Sequence, residues 1–285
     1  MTFAAANGKE KVMSLPPSTW QEHWFEHNQL VKLKYYDDFV AVYFDDDMRE
    51  AESSWLYQYM STLAQYTKSH YGDIRSDRLY AIFHKGKYGG GHPSYYYDGS
   101  HDFRNVIDCG SDNWQAPSTS SPSWQFDGPS HEVAHIIEST VHGKHNSPCF
   151  GLWNDSKWAE FFQYGFYKEI SMTTYAQTKY IEFMSKSDDY PRPGTQWFRK
   201  WFSILYSTYD GSKCMREFYH MIDQYWPYQN KSMNWGELIH FMSAAVGTDL
   251  KFPAEAAFGW SSEWEDQYQQ AILVYKFTTT PDGST

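Results

Sequence analysis

The chain has 285 residues and sets 35 Asp and Glu against 24 Lys and Arg, a formal net charge of −11. With its basic residues scattered rather than clustered, that balance excludes a nucleic-acid-binding surface, and no stretch approaches the ~20 apolar residues of a membrane span. The length suits one large domain or two tightly joined lobes.

Residues 1–15 read as a flexible leader that lacks the apolar core of a signal peptide. Ser18 or Thr19 then caps a short helix carrying Trp20, Trp24 and Phe25. Leu30–Tyr36 alternates as a strand, Asp37-Asp38 turns, and Phe39–Phe44 returns. The acidic run Asp45-Asp46-Asp47 fits a helix N-terminus better than a calcium site, because carboxylates there meet the positive end of the helix dipole. Ala51–His70 repeats Trp55, Leu56, Tyr59, Met60, Leu63 and Tyr66 at three- and four-residue spacings, an amphipathic helix that Gly72 ends. Leu79–His84 is a strand, followed by a glycine-rich turn through Gly86, Gly89, Gly90 and Gly91. That cluster is no phosphate loop, since it lacks the Gly-Lys-Ser/Thr ending. Tyr95–Tyr97 and Arg104–Cys109 complete the strands, and 110–129 reads as a Ser-, Pro- and Asp-rich surface loop.

Next comes Ser130–Gln163, where the chemistry concentrates. His131 and His135 are four apart, so a helix puts them on one face with roots roughly 6 Å apart, near enough to close on one zinc ion. Glu132 is placed to take a proton from a water on that ion. Gly128, Pro129 and Ser130 form the loop and cap before the helix, and Val133, Ala134, Ile136 and Ile137 give it an apolar face.

A third ligand is needed. His142 shares the face, but it would lie roughly 10 Å further along a continuous helix, too far for the same ion. His145 reaches back only if the chain turns at Gly143. Glu160 is the better choice: Asp155 or Ser156 caps a second helix, and Glu160 falls in its first or second turn. Two His and one Glu leave one position open for water, which separates a catalytic zinc site from a structural one. Glu138 and Asp155 are candidate partners for the outer nitrogens of the histidines.

Beyond the site the pattern is helical: Tyr164–Ile170, Thr173–Lys186, Thr195–Ser207, Ser212–Tyr225, Trp235–Val246 and Ser262–Tyr275. Pro191, Pro193 and Gly194 mark a hinge between a sheet-plus-zinc-helix lobe (16–190) and a helical lobe (191–277), with a polar tail at 278–285. The fold class is α+β: a small mixed N-terminal sheet with helices, the zinc helix in the middle, and a mainly helical C-terminal half. The three cysteines, Cys109, Cys149 and Cys214, make no disulfide framework, although one bridge plus one free thiol stays open. Aromatics form 20% of the chain and mostly fill the core, the rest being available to stack on sugars or apolar side chains.

HEVAH at 131–135 and WAEFFQYGFY at 158–167 resemble the gluzincin zinc metallopeptidases, with Phe161 where a Gly is common and Phe162 and Gln163 in place of small residues. The resemblance covers about 40 residues well. It implies a zinc-dependent peptidase acting on a peptide or protein, glycoproteins included, in an exported setting (secreted, periplasmic or extracellular). It also implies that Gly89–Asp108 lines the cleft and pairs with substrate, and that a Tyr or His from the C-terminal half stabilises the oxyanion; Tyr164, Tyr167, Tyr219 and His220 are the candidates. The competing expectation is a glycan- or glycoprotein-binding protein on the same scaffold, with little or no hydrolysis.

Overall fold

The computed structural model describes residues 14–277. Most of the expected leader and the whole tail at 278–285 lie outside the described residues. The fold is α+β, a six-stranded mixed sheet followed by helices.

The strands are β1 (Thr19–Gln21), β2 (Leu30–Tyr36), β3 (Val40–Phe44), β4 (Leu79–Lys85), β5 (Gly90–Ser94) and β6 (Val106–Ser111). They lie in the order β1-β2-β3-β4-β6-β5. The centre, β3-β4-β6, is parallel, and β1, β2 and β5 add to it antiparallel. The short helix α1 (Glu50–Ser53) leads into α2 (Trp55–Tyr71), which makes the crossover from β3 to β4. Leu56, Tyr59, Met60, Leu63 and Tyr66 are buried on one stripe of α2, as the spacing predicts, and Gly72 ends it at φ 103°.

The period of two along each strand sorts the sheet into two faces. Val40, Val42 and Phe44 of β3, Leu79, Ala81 and Phe83 of β4, and Ile107 and Cys109 of β6 meet the helices. Ala41, Tyr43, Tyr80, Ile82 and Val106 face the other way, under Trp20 and Trp24 of the N-terminal segment. The N-terminal segment therefore covers one face of the sheet and the helical remainder covers the other.

On the helical face, α3 (Trp124–Thr140) is buried along most of its length and packs against β5, β6 and α4 (Phe150–Glu169). The remaining elements are α5 (Thr173–Ser185), a π turn at Phe198–Phe202, α6 (Ser203–Thr208), α7 (Lys213–Tyr225), α8 (Trp235–Val246), α9 (Lys251–Phe258) and α10 (Ser262–Val274). Asn234 caps α8 in a capping box with Glu237. Gly236 lets α8 lie against the α10 backbone, where a Cβ would come within 2.2 Å of Gln267. One apolar core runs from Val40 to Tyr275, across the expected hinge at 191.

The structure corrects several local expectations. Trp20 sits in a strand, not a helix: it is buried between exposed Thr19 and Gln21, and its ring packs on Tyr43 and Tyr80. The glycine run is β5 itself, while Tyr95–Tyr97 follow it outside the strand. α3 starts at Trp124, with Pro129 inside it rather than in a preceding loop. A proline in the second turn costs the backbone bond to the Gln125 carbonyl, and the next residue, Ser130, adds a side-chain bond from Oγ to the Phe126 carbonyl at 2.9 Å. The single helix expected over Thr195–Ser207 is a π turn joined to the short α6, and α9 was not foreseen. All three cysteines are buried and free.

Candidate metal-binding cleft

α3 sets the site. His131 and His135 lie one turn apart with their Nε2 atoms 3.1 Å from each other. α4 is broken at Asn154 (φ 54°, ψ −169°), a positive-φ conformation that residues with a Cβ rarely adopt. The break makes Asp155 the first residue of the longer segment and brings its carboxylate to both rings: Oδ1 lies 3.2 Å from His135 Nε2 and Oδ2 lies 3.5 Å from His131 Nε2. Zinc bonds of about 2.0–2.1 Å in a tetrahedron require ligand atoms roughly 3.3 Å apart. The Nε2–Nε2 separation of 3.1 Å is close to that spacing, the Asp155 carboxylate reaches each ring through a different oxygen at 3.2 and 3.5 Å, and two imidazoles plus a carboxylate are a zinc donor set.

The carboxylate that meets both rings is thus Asp155, while Glu160, the expected one, lines the same cleft outside this group. Glu160 stands further along α4, and its Oε1 accepts from Lys186 Nζ at 3.0 Å. Burial pushes its carboxyl up, against the opposing pull of Lys186. The helix break is what sets Asp155 apart from Glu160. An unbroken helix would set Asp155 aside as a cap, whereas a turned one delivers it. Contacts with His131 and His135 hold the Asp155 carboxyl well below the usual carboxylate range.

Glu138 meets the outer nitrogen of His135. Its Oε1 lies 2.6 Å from His135 Nδ1, and its Oε2 accepts from Trp153 Nε1 at 2.8 Å. A carboxylate can only accept, so Nδ1 carries a proton and Nε2 is the nitrogen turned toward the cluster. Burial alone would lower the proton affinity of His135, but Asp155 and Glu138 outweigh it and raise the ring to about 10. A metal ion therefore competes with a proton for Nε2.

Glu132 is buried beside the cluster and pressed against β5. A Cβ added to Gly91 would lie 2.7 Å from its Oε1. Burial raises its carboxyl, more than the two histidines lower it. The cleft above these groups has a volume of about 570 Å³. Its walls are Gly91 to Pro93 of β5, the exposed rings of Trp124 and Phe150, and, on the α5 side, Lys179 and Lys186.

None of the four oxyanion candidates lines this cleft. Tyr167 is fully buried, bonded to Ser130 Oγ at 2.9 Å and Asp127 Oδ1 at 2.8 Å, and braces the start of α3. Tyr164 packs among Tyr180, Phe198 and Tyr206. Tyr219 is buried against Trp158 and His142, and the exposed His220 meets Gln224 at 2.8 Å. Tyr95, just past β5, is the one tyrosine on the cleft wall among the described residues. Its signal lay in the sequence as the first residue after a cleft strand, hidden by reading the strand three to five residues late. The loop-bound His142 donates Nε2 to the Glu138 carbonyl at 2.7 Å, away from the cluster.

No protein-family model matches the chain, and no curated protein matches it. Among the described residues no helix is long and apolar enough to cross a membrane.

Proposed function

We propose that the chain is a zinc-dependent hydrolase, most simply a metallopeptidase, resembling gluzincins in its HEVAH helix and departing from them in taking its third ligand from Asp155. The observation that carries this reading is the convergence of His131 Nε2, His135 Nε2 and the Asp155 carboxylate at separations of 3.1 to 3.5 Å, with Glu132 alongside. Zinc bound there would lower the pKa of a water toward ~7 and polarise a substrate carbonyl.

The residues supply the rest. Glu132, its proton affinity raised by burial, takes the water's proton and returns it to the leaving amine. Glu138 holds the His135 ring and its tautomer. β5 ends the sheet beside the cleft, and an extended peptide that pairs with a sheet edge gains main-chain hydrogen bonds independent of its side chains. Trp124 and Phe150 favour apolar or aromatic groups next to the scissile bond.

Cleavage of a peptide library tests this with zinc, after chelation, and in Glu132→Gln. We expect chelation to abolish turnover and Glu132→Gln to lower it by about 100- to 10,000-fold with zinc still bound. Activity indifferent to both treatments would rule the mechanism out. The alternative, a glycan-binding protein that uses the same two exposed rings, predicts binding without turnover in every arm.

A further inference from the structure

The opposite face of the sheet holds a second His and carboxylate group that the proposed hydrolysis does not use. Glu22 and His27 come from the N-terminal segment between β1 and β2, His84 from β4 and Asp108 from β6; donor atoms of all four lie within 4.8 Å of one another. The side chains of Glu22 and His84 are 0% exposed and that of Asp108 is 1%. His84 Nε2 lies 2.7 Å from Glu22 Oε1 and 3.1 Å from Asp108 Oδ1, while His27 Nδ1 lies 2.9 Å from Asp108 Oδ2 and 3.8 Å from Glu22 Oε1.

Two features separate this group from an ordinary buried salt bridge. The first is orientation. Glu22 Oε1, His84 Nε2 and Asp108 Oδ1 are buried, face one another, and have no hydrogen-bond partner, since their contacts are close in distance but wrong in angle. Such orphaned atoms are costly unless something else satisfies them. The second is that the far side of each group is already held. Gln29 N donates to Glu22 Oε2 at 2.9 Å, Trp24 Nε1 donates to Asp108 Oδ2 at 3.0 Å, and His84 Nδ1 meets Asp45 Oδ2 at 3.0 Å. Carboxylates and ring partners of this kind are what orient metal ligands from behind. Asp45 also accepts from the backbone of Asp47 and Met48, so it is fixed in place.

We infer that Glu22, His27, His84 and Asp108 bind a divalent transition-metal ion, zinc by their donor set, at a buried site distinct from the cleft. The contacts of His84 Nε2 with Glu22 Oε1 at 2.7 Å and with Asp108 Oδ1 at 3.1 Å approach the roughly 3.3 Å edge of a tetrahedral zinc site, and His27 Nδ1, which now bonds Asp108 Oδ2 at 2.9 Å, completes a set whose atoms lie within 4.8 Å of one another. All four ligands come from the protein, so the site is closed and its role is structural. It staples the N-terminal segment to β4 and β6 and thereby fixes the sheet edge that carries β5. It also offsets the buried charge of Glu22 and Asp108, whose ion pairs among the described residues are with histidines and with no Lys or Arg.

A zinc-edge anomalous map of the full chain tests this, on crystals grown after dialysis against zinc without chelator, together with elemental analysis. We expect a peak between Glu22 Oε1, His84 Nε2 and Asp108 Oδ1, separate from any peak at His131 and His135, and one fewer zinc per chain in His84→Gln. A wild-type map with no peak at that place overturns the inference whatever it shows in the cleft, and it decides the matter even if His84→Gln fails to fold. Metal at the buried site but none at His131 and His135 would support this inference and count against the proposed hydrolase.

Discussion

The two faces of the sheet carry the same chemistry under opposite conditions of access. On the helical face, His131, His135 and Asp155 are 23%, 6% and 69% exposed in their side chains and open onto a cleft. On the other face, Glu22, His84 and Asp108 are sealed under Trp24 and the N-terminal segment. Each face also has one carboxylate gripping a histidine from behind, Glu138 on His135 and Asp45 on His84. The side-chain types are therefore nearly the same, and access would decide what a bound ion does: a set that opens onto a cleft leaves room for a reacting water, whereas a set sealed from solvent makes a clamp.

The sharpest way to break this comparison is at the third cleft donor. Asp155→Ala should weaken zinc binding in the cleft by more than about 100-fold, since loss of an outer partner alone typically costs up to that much. Glu160→Gln should leave zinc affinity within a few fold, because Glu160 is paired with Lys186 instead. Competition titration with a zinc chelator reads both, and the reverse ranking would restore Glu160 as the ligand. Glu138→Gln should come next, with a loss of about 10- to 100-fold in zinc affinity or turnover and no change in the buried site.

How much of this was legible in the sequence follows from which signals are local. The HEVAH helix, its paired histidines and Glu138 are set by i, i+3 and i, i+4 spacing on one element, and spacing survives in the sequence. The amphipathic stripe of α2 and the α+β class were legible for the same reason. Asp155 is legible as a partner of the histidines but its contact with both Nε2 atoms is not, because that depends on one positive-φ residue, Asn154, that a helical pattern hides. The buried group was not legible. Its four members span residues 22 to 108 and meet only through the pairing of β4 with β6 and the folding-over of the N-terminal segment. Asp45 illustrates the point: the acidic run was read as a helix-end feature, and nothing local shows that one of its carboxylates reaches His84.

A buried histidine without carboxylates gives the control for both sites. Burial lowers the proton affinity of His84 and His142 alike, but at His84 the contacts with Asp108, Asp45 and Glu22 reverse the effect and raise it to about 11. His142 is fully buried and has the Glu138 carbonyl as its Nε2 partner, so burial wins and holds it at about 4. In the unfolded chain this ring titrates near 6.5. Its contribution to stability is therefore complete above 6.5 and is lost as pH falls from there toward 4, because only the unfolded state takes up the proton. Between pH 6.5 and 5 the loss should be about 2 kcal/mol, at about 1.4 kcal/mol per unit. Denaturant melts of wild type and His142→Gln across that range check it: the acid-side slope should flatten in the variant.

The smallest predicted effect tests how the two faces communicate through β5. Adjacent residues of a strand point to opposite faces, so Gly91 abuts Glu132 while His92 pairs across to Asp108. In Gly91→Ala the new methyl carbon would lie 2.7 Å from Glu132 Oε1 and 2.9 Å from its Cγ. The end of a carboxylate side chain moves more cheaply than backbone, so the fold should tolerate the change. The base, however, would shift by a few tenths of an ångström or more, and misplacement of about 1 Å at a reacting centre can cost 100-fold. We expect kcat to fall about 10-fold with both zinc sites still filled. An unchanged kcat would mean that Glu132 is not held by β5. A loss of zinc from the buried site would mean that the two faces share their geometry through this strand rather than merely sharing its backbone.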